Sequence, residues 1–281
     1  MSTSHNSFFF DDNNGDALQE SFFNNCRSIY DTKKTGLHSG VCIVGTEPGC
    51  GKTVLMSGIA GVLGDYSGKV RAVKPVTYSR YQKSSPEYSF ISNITRTPVD
   101  YPSIHLSFPP TLSQSEWDQI IMTGTARDAV TFIELPTTVA TPLSFEKDGF
   151  NKLTHEWYTT TDLIRSLGYP VILVAKHAPD ALEKLALSLN YLQSGGIQVL
   201  SLATVETNVL EAQVMDRYIS KDDFELFMIT GTGVPYLGCL RYSPSISVQD
   251  VSQGNLKRTV EECLDIMVLR RNLKLPVVRQ F

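Results

Sequence analysis

A chain of 281 residues, 42% of them apolar, holds enough material for one large domain or two small ones around a sizeable core. Twenty-five basic residues against 29 acidic ones leave a net charge of −4, which speaks against non-specific binding to nucleic acid or to an anionic membrane surface. The five cysteines (Cys26, Cys42, Cys50, Cys239, Cys263) are odd in number and far apart in the chain, which excludes a disulfide framework or a clustered zinc motif and suits a reducing cytoplasm. No apolar run approaches the ~18–20 residues of a membrane span, and Phe8-Phe9-Phe10 is too short for the apolar core of a secretory leader.

Residues 1–38 are rich in Ser, Asn, Asp and Gly, with short aromatic clusters at Phe8 to Phe10 and Phe22-Phe23. Such a composition buries little, so a mobile or loosely docked extension is expected, with a surface helix over 16–30 as the alternative. From Gly40 onward short apolar runs alternate with amphipathic stretches. In chain order the pattern predicts strand 41–44, helix 52–63, strand 70–76, loops and a short helix within 78–118, and strand 130–133. There follow helix 159–167 stopped by Gly168, strand 171–174, helix 181–192, strand 199–205, helices 208–219 and 222–229, strand 236–240, and one long closing helix over 255–272. Apolar strands separated by helices indicate an α/β domain, residues 39–281, with a mostly parallel sheet covered on both faces by helices. In such sheets ligands bind beyond the carboxyl ends of the strands.

The most informative segment is Gly45-Thr46-Glu47-Pro48-Gly49-Cys50-Gly51-Lys52-Thr53. It follows a buried strand and opens a helix, the setting of a P-loop NTPase phosphate loop. Backbone N–H groups and the helix N-terminus attract phosphate oxygens there, which makes Glu47, Pro48, Gly49, Cys50, Gly51, Lys52, Thr53 and Val54 the expected nucleotide-binding stretch. Lys52 reaches the β- and γ-phosphates in such loops, and the Thr53 hydroxyl binds Mg²⁺. The general pattern has Gly where this chain has Thr46. Lys74-Pro75-Val76 closes the second strand, so Lys74 is aimed at the site; Pro75 cannot donate to a ladder and marks the strand end. Glu134 follows another apolar strand, in place to hold Mg²⁺ directly or through water.

These segments together resemble the ATP-dependent dethiobiotin synthase family: the Gly-Thr-acidic start of the loop, Gly51-Lys52-Thr53 at its end, Lys74-Pro75-Val76, and Glu134. Thr141-Pro142-Leu143, Pro170 to Val174, and Pro235-Tyr236-Leu237-Gly238-Cys239-Leu240 extend the resemblance over about residues 41–240. The resemblance implies a homodimeric cyclo-ligase of biotin biosynthesis in the cytoplasm, with Mg²⁺ as cofactor and ATP as substrate. Diaminopelargonate takes up CO₂ as a carbamate, ATP phosphorylates it, and the second amine closes the ureido ring. It also implies that Lys52 and Lys74 are catalytic, Lys74 bridging the carbamate and γ-phosphate; that Thr53 and Glu134 hold the metal; and that Lys74, Tyr78 and Ser79 adjoin the substrate. No nucleic acid or membrane partner is implied.

Several positions depart from the family pattern. Pro48 replaces a second loop Thr, Glu47 an Asp, and Tyr78-Ser79 a Ser-Gly pair. A metal-binding Asp is expected after the second strand, where the only acid between Thr77 and Val99 is Glu87. Glu134-Leu135-Pro136-Thr137-Thr138 stands in place of a Gly-rich run, and Lys176-His177-Ala178-Pro179-Asp180 in place of the helix start that binds the substrate carboxylate. Thr204 and Asn208 are the candidates for reading the base. Two further readings stay open: another enzyme or regulatory domain on this scaffold, and a nucleotide-binding protein without turnover.

Overall fold

A computed structural model describes residues 38–78, 86–98, 103–107, 110–125, 128–147 and 153–275. The expected extension over 1–38, apart from His38, lies outside them, as does Ser79. The central sheet has six parallel strands in the order β10-β9-β8-β1-β5-β2. These are β1 (Gly40–Gly45), β2 (Val70–Val73), β5 (Val130–Thr138), β8 (Val171–Lys176), β9 (Val199–Val205) and β10 (Tyr236–Leu240). Two small sheets lie apart from it: β3 (Val76–Tyr78) with β4 (Ile104–Leu106), and β6 (Pro142–Lys147) with β7 (Leu153–Thr159). The helices are α1 (Lys52–Ser67), α2 (Pro86–Thr95), α3 (Gln114–Gly124), α4 (Thr160–Leu167), α5 (Ala181–Ser194), α6 (Val209–Tyr218), α7 (Lys221–Thr232), α8 (Leu256–Cys263) and α9 (Ile266–Asn272). No helix among the described residues is long and apolar enough to cross a membrane.

Successive side chains of a strand point to opposite faces, and the core divides accordingly. Val41, Ile43, Phe132, Ile172 and Val174 pack with Leu55 and Ile59 of α1 and with Val260 of α8. Cys42, Val44, Ile133, Leu135 and Leu173 pack on the other side with Leu163 of α4 and Leu185 of α5. The same alternation puts Glu134 on the face of Phe132, the face covered by α1. Strand order reverses at β1, which lies between β5 and β8, so a crevice opens at its carboxyl end.

Some sequence expectations change. The strand expected over 70–76 is interrupted at Lys74-Pro75. Pro75 has no N–H for the main ladder, and its carbonyl accepts from Ile104 N–H at 2.9 Å, which starts the β3–β4 pair instead. The long helix expected over 255–272 breaks at Leu264, whose backbone is extended. Asp265 N–H donates to the Leu237 carbonyl (2.7 Å), and the Asp265 carboxylate accepts from Met267 N–H (3.0 Å) to cap α9. The periodicity ran straight through because both pieces carry apolar residues on one face. The third strand continues to Thr138, so Glu134 lies within β5, opposite Ile43, rather than after it. The described residues within 78–118 hold helix α2, the start of helix α3 and strand β4, more regular structure than the loops and one short helix expected, and the antiparallel β6–β7 pair was not foreseen.

Candidate functional site

The phosphate loop turns from β1 into α1, and two glycines allow that turn. Gly51 has φ 88°, and a Cβ there would lie 2.5 Å from a Val205 methyl on β9. A Cβ on Gly45 would lie 2.5 Å from Cys50 Sγ and 3.1 Å from Lys52 Nζ. Any side chain at these two positions forces the loop away from the sheet. Twelve of the sixteen residues of α1 are buried, so the helix that anchors the loop is clamped on nearly all sides. The Cys50 thiol pKa is raised, chiefly by burial and against the pull of Lys52, so Cys50 fills space as a neutral group.

Lys52 is buried, and its ammonium donates to the Thr137 carbonyl at 3.1 Å. It has no carboxylate partner among the described residues, so its charge is left for an incoming anion. Thr137 holds φ 42°, unusual for a β-branched residue and a conformation that costs about 1–3 kcal/mol. Thr141 fixes it, its hydroxyl bonding the hydroxyls of Thr137 and Thr138 and accepting from Thr138 N–H at 2.9 Å. Backbone strain there turns a carbonyl toward the loop lysine.

Lys74 lies at the centre of the second cluster. Its ammonium is 2.8 Å from Glu134 Oε1, 2.8 Å from Glu87 Oε1 and 3.4 Å from Thr53 Oγ1. The Thr53 hydroxyl donates to Glu134 Oε1 at 3.0 Å. Burial pulls the lysine's pKa down, but Glu134 and Glu87 outweigh it and raise it to about 12. Tyr88 of α2 donates to the Lys74 carbonyl at 3.2 Å and bonds the Ser103 hydroxyl, which fixes the chain where it leaves the sheet. Glu87 enters the site because α2 packs across α1. In the sequence it was marked only as the one acid in its segment, since no local pattern ties it to Lys74.

These groups line one cavity of about 390 Å³, together with Tyr78, Pro136, Val248 and Gln249. The Tyr78 hydroxyl donates to the Pro142 carbonyl, so its ring forms a wall of the cavity. Val248 and Gln249 come from a loop far along the chain and carried no signal in the sequence. At the rim, Glu47 pairs with Lys184 of α5 at 2.9 Å, and Lys184 also pairs with Asp180 at 2.8 Å. Lys176-His177 stands apart at the end of β8, where His177 is buried and its Nδ1 lies 3.1 Å from Thr204 Oγ1. Both Thr204 and His177 are thus committed to an internal cluster rather than turned to the loop.

The donor set fits Mg²⁺. Glu134 is 2% exposed, and its buried Oε2 has no hydrogen-bond partner among the described residues, which leaves lone pairs for a cation. Thr53, Glu134 and Glu87 are all hard oxygen donors beside the phosphate loop, and a magnesium ion held there supplies positive charge to phosphate oxygens.

A buried strand, a glycine-hinged loop, a buried lysine bonded to a carbonyl and a threonine–carboxylate pair define a P-loop NTPase-type nucleotide-binding domain, a fold suited to nucleotide hydrolysis or ligation. The AAA-domain family AAA_26 matches residues 39–249, and the chain belongs to that family. Among solved structures, the MinC:MinD cell division protein complex of Aquifex aeolicus is similar at 10% identity over 85% of this chain and 98% of that one, with a TM-score of 0.52. The signal recognition particle receptor FtsY of Elizabethkingia anophelis aligns at 13% identity over 87% and 70%, with a TM-score of 0.45. No curated protein matches the chain.

Proposed function

We propose that the chain is an ATP- and Mg²⁺-dependent cyclo-ligase that forms dethiobiotin from diaminopelargonate and CO₂, or from the preformed carbamate. AAA_26 includes dethiobiotin synthase-like members. The observation that carries the reading is Lys74, clasped by two carboxylates over the cavity that the phosphate loop lines. Hydrolysis needs no such lysine. A carbamate attacking a γ-phosphate gathers negative charge at one point, and a positioned ammonium there stabilises it. Lys52 holds the β- and γ-phosphates, while Thr53, Glu134 and Glu87 hold Mg²⁺. Glu47 to Val54 wrap the nucleotide, and Tyr78 and Ser79 border the acceptor. Pairing of two copies is part of this reading, and the exposed apolar face of α6, with Leu210, Val214 and Tyr218 one turn apart, supports it.

Purified full chain incubated with ATP, Mg²⁺, bicarbonate and diaminopelargonate should yield dethiobiotin by mass spectrometry. Product only from the preformed carbamate places carboxylation elsewhere. A nucleotide-binding role without ring closure is the second reading, favoured by one feature: Pro136 and Thr137 continue β5 as a strand where the family has a glycine run. ATP binding with no product from either acceptor selects it.

A further inference from the structure

The carboxyl ends of β8, β9 and β10 gather a second set of functional groups that the phosphate chemistry does not use. His177 follows β8, Glu206 follows β9, and Cys239 lies in β10 paired with Thr204. Backbone bonds fix these ends together: His177 N–H donates to the Val205 carbonyl and Glu206 N–H to the Leu240 carbonyl, both at 2.9 Å. One imidazole nitrogen, one carboxylate oxygen and the thiol sulfur all lie within 4.8 Å of one another.

We propose that His177, Glu206 and Cys239 form a binding site for a zinc-class transition metal, separate from the Mg²⁺ position at the phosphate loop. In a tetrahedral zinc site, metal–ligand bonds of about 2.0–2.3 Å place neighbouring donors roughly 3.3–3.8 Å apart. From separations within 4.8 Å, closing the triad to that spacing takes a shift on the order of 1 Å. An imidazole with a thiolate selects zinc or cobalt over magnesium, so the two sites do not compete for one ion. The charges also match: one thiolate and one carboxylate neutralise a divalent ion, and the imidazole stays neutral. On binding, the Cys239 S–H bond breaks, its proton passes to solvent and a sulfur–metal bond forms. Support for the ligands is already in place. The Thr204 hydroxyl bonds both His177 Nδ1 (3.1 Å) and the Tyr236 hydroxyl (2.5 Å), and the His177 ring stands edge-on to Phe224. Tyr242 N–H holds Glu206 Oε2 at 2.9 Å. Such surrounding bonds orient metal ligands. The sequence shows no zinc-ligand spacing here, because the ligands come from three separate strand ends.

The test is a titration of chelator-treated full chain with Co²⁺. One equivalent should produce a near-ultraviolet thiolate-to-cobalt charge-transfer band, and Zn²⁺ should remove it. Cys239→Ser should abolish the band, Cys263→Ser should keep it, and Glu206→Gln should weaken Co²⁺ binding at least tenfold while circular dichroism stays that of the wild type. No band in the wild type, a band that survives Cys239→Ser, or undiminished affinity in Glu206→Gln overturns the proposal. None of these readouts depends on ATP or ring closure, so the site stands or falls apart from the proposed ligase activity.

Discussion

The two ends of the carboxyl edge are built on opposite principles. Beside β1 and β2, four charged side chains meet in one cavity: Lys52 turned to a carbonyl, and Lys74 held between Glu134 and Glu87. Beside β8 to β10, a buried imidazole and two buried hydroxyls, those of Thr204 and Tyr236, meet a half-buried thiol, and desolvation pushes the Cys239 thiol up to about 12. The first end is charged, with Lys74 paired to two carboxylates and Lys52 bonded to a carbonyl. The second sets one carboxylate, Glu206, beside uncharged groups that hydrogen-bond one another. A sheet edge thus concentrates chemistry without dictating which kind. What differs is whether opposite charges arrive from neighbouring elements to offset the cost of burying each other.

The sharpest way to break this comparison is to remove the charge at its centre. Lys74→Met should lower ring closure by about 10²–10³-fold, the range for losing one electrostatic donor to a transition state, with ATP affinity changed far less. Product formation near the wild-type rate reduces Lys74 to a structural clasp for Glu134 and Glu87. Lys52→Ala should instead weaken ATP binding itself by roughly 10–100-fold, equivalent to about 1.5–3 kcal/mol for a charge-assisted bond, as read by calorimetry. An unchanged affinity removes the phosphate loop from the account.

The clasp also has a pH signature. Lys74 has its folded pKa raised above the ordinary lysine value, to about 12. Its contribution is therefore full below the unfolded value of about 10.5 and is lost as pH rises through 12, a change of about 2 kcal/mol. Urea unfolding of wild type and Lys74→Met between pH 9 and 12 should show the difference between them shrinking across about 10.5 to 12. A difference that stays flat over that range shows that the two carboxylates do not hold the charged lysine. The smallest effect is expected outside both regions. All six strands of the main sheet lie between Gly40 and Leu240, so a chain starting at Thr35 should melt within a few degrees of the full one. A large drop in melting temperature makes Phe22 and Phe23 part of the core.

Contiguous features could be read without the fold. The loop from Gly45 to Thr53, the apolar strands, and the Gly168 stop of α4 follow from local chemistry: backbone freedom, burial period and helix termination. Lys74 and Glu134 were also legible, because each adjoins an apolar run whose end lies at the ligand-binding edge. Glu87 was visible only as an acid, with nothing in the sequence to show that it shares Lys74 with Glu134. The apolar spacing of 255–272 concealed a break set by Leu237, a residue on another element.

The sequence by itself determined the α/β class, the strand–loop–helix of the P-loop pattern, and two lysines and a carboxylate at one edge. Each of these depends on residues close in the chain, where periodicity and turn chemistry act directly. Only the tertiary structure decided that Glu87 closes the clasp on Lys74, that strain at Thr137 turns its carbonyl to Lys52, and that His177, Glu206 and Cys239 meet. Those contacts join residues from 13 (Lys74 to Glu87) to 85 (Lys52 to Thr137) apart in the chain, and strand order and helix packing bring them together through burial that no local pattern records.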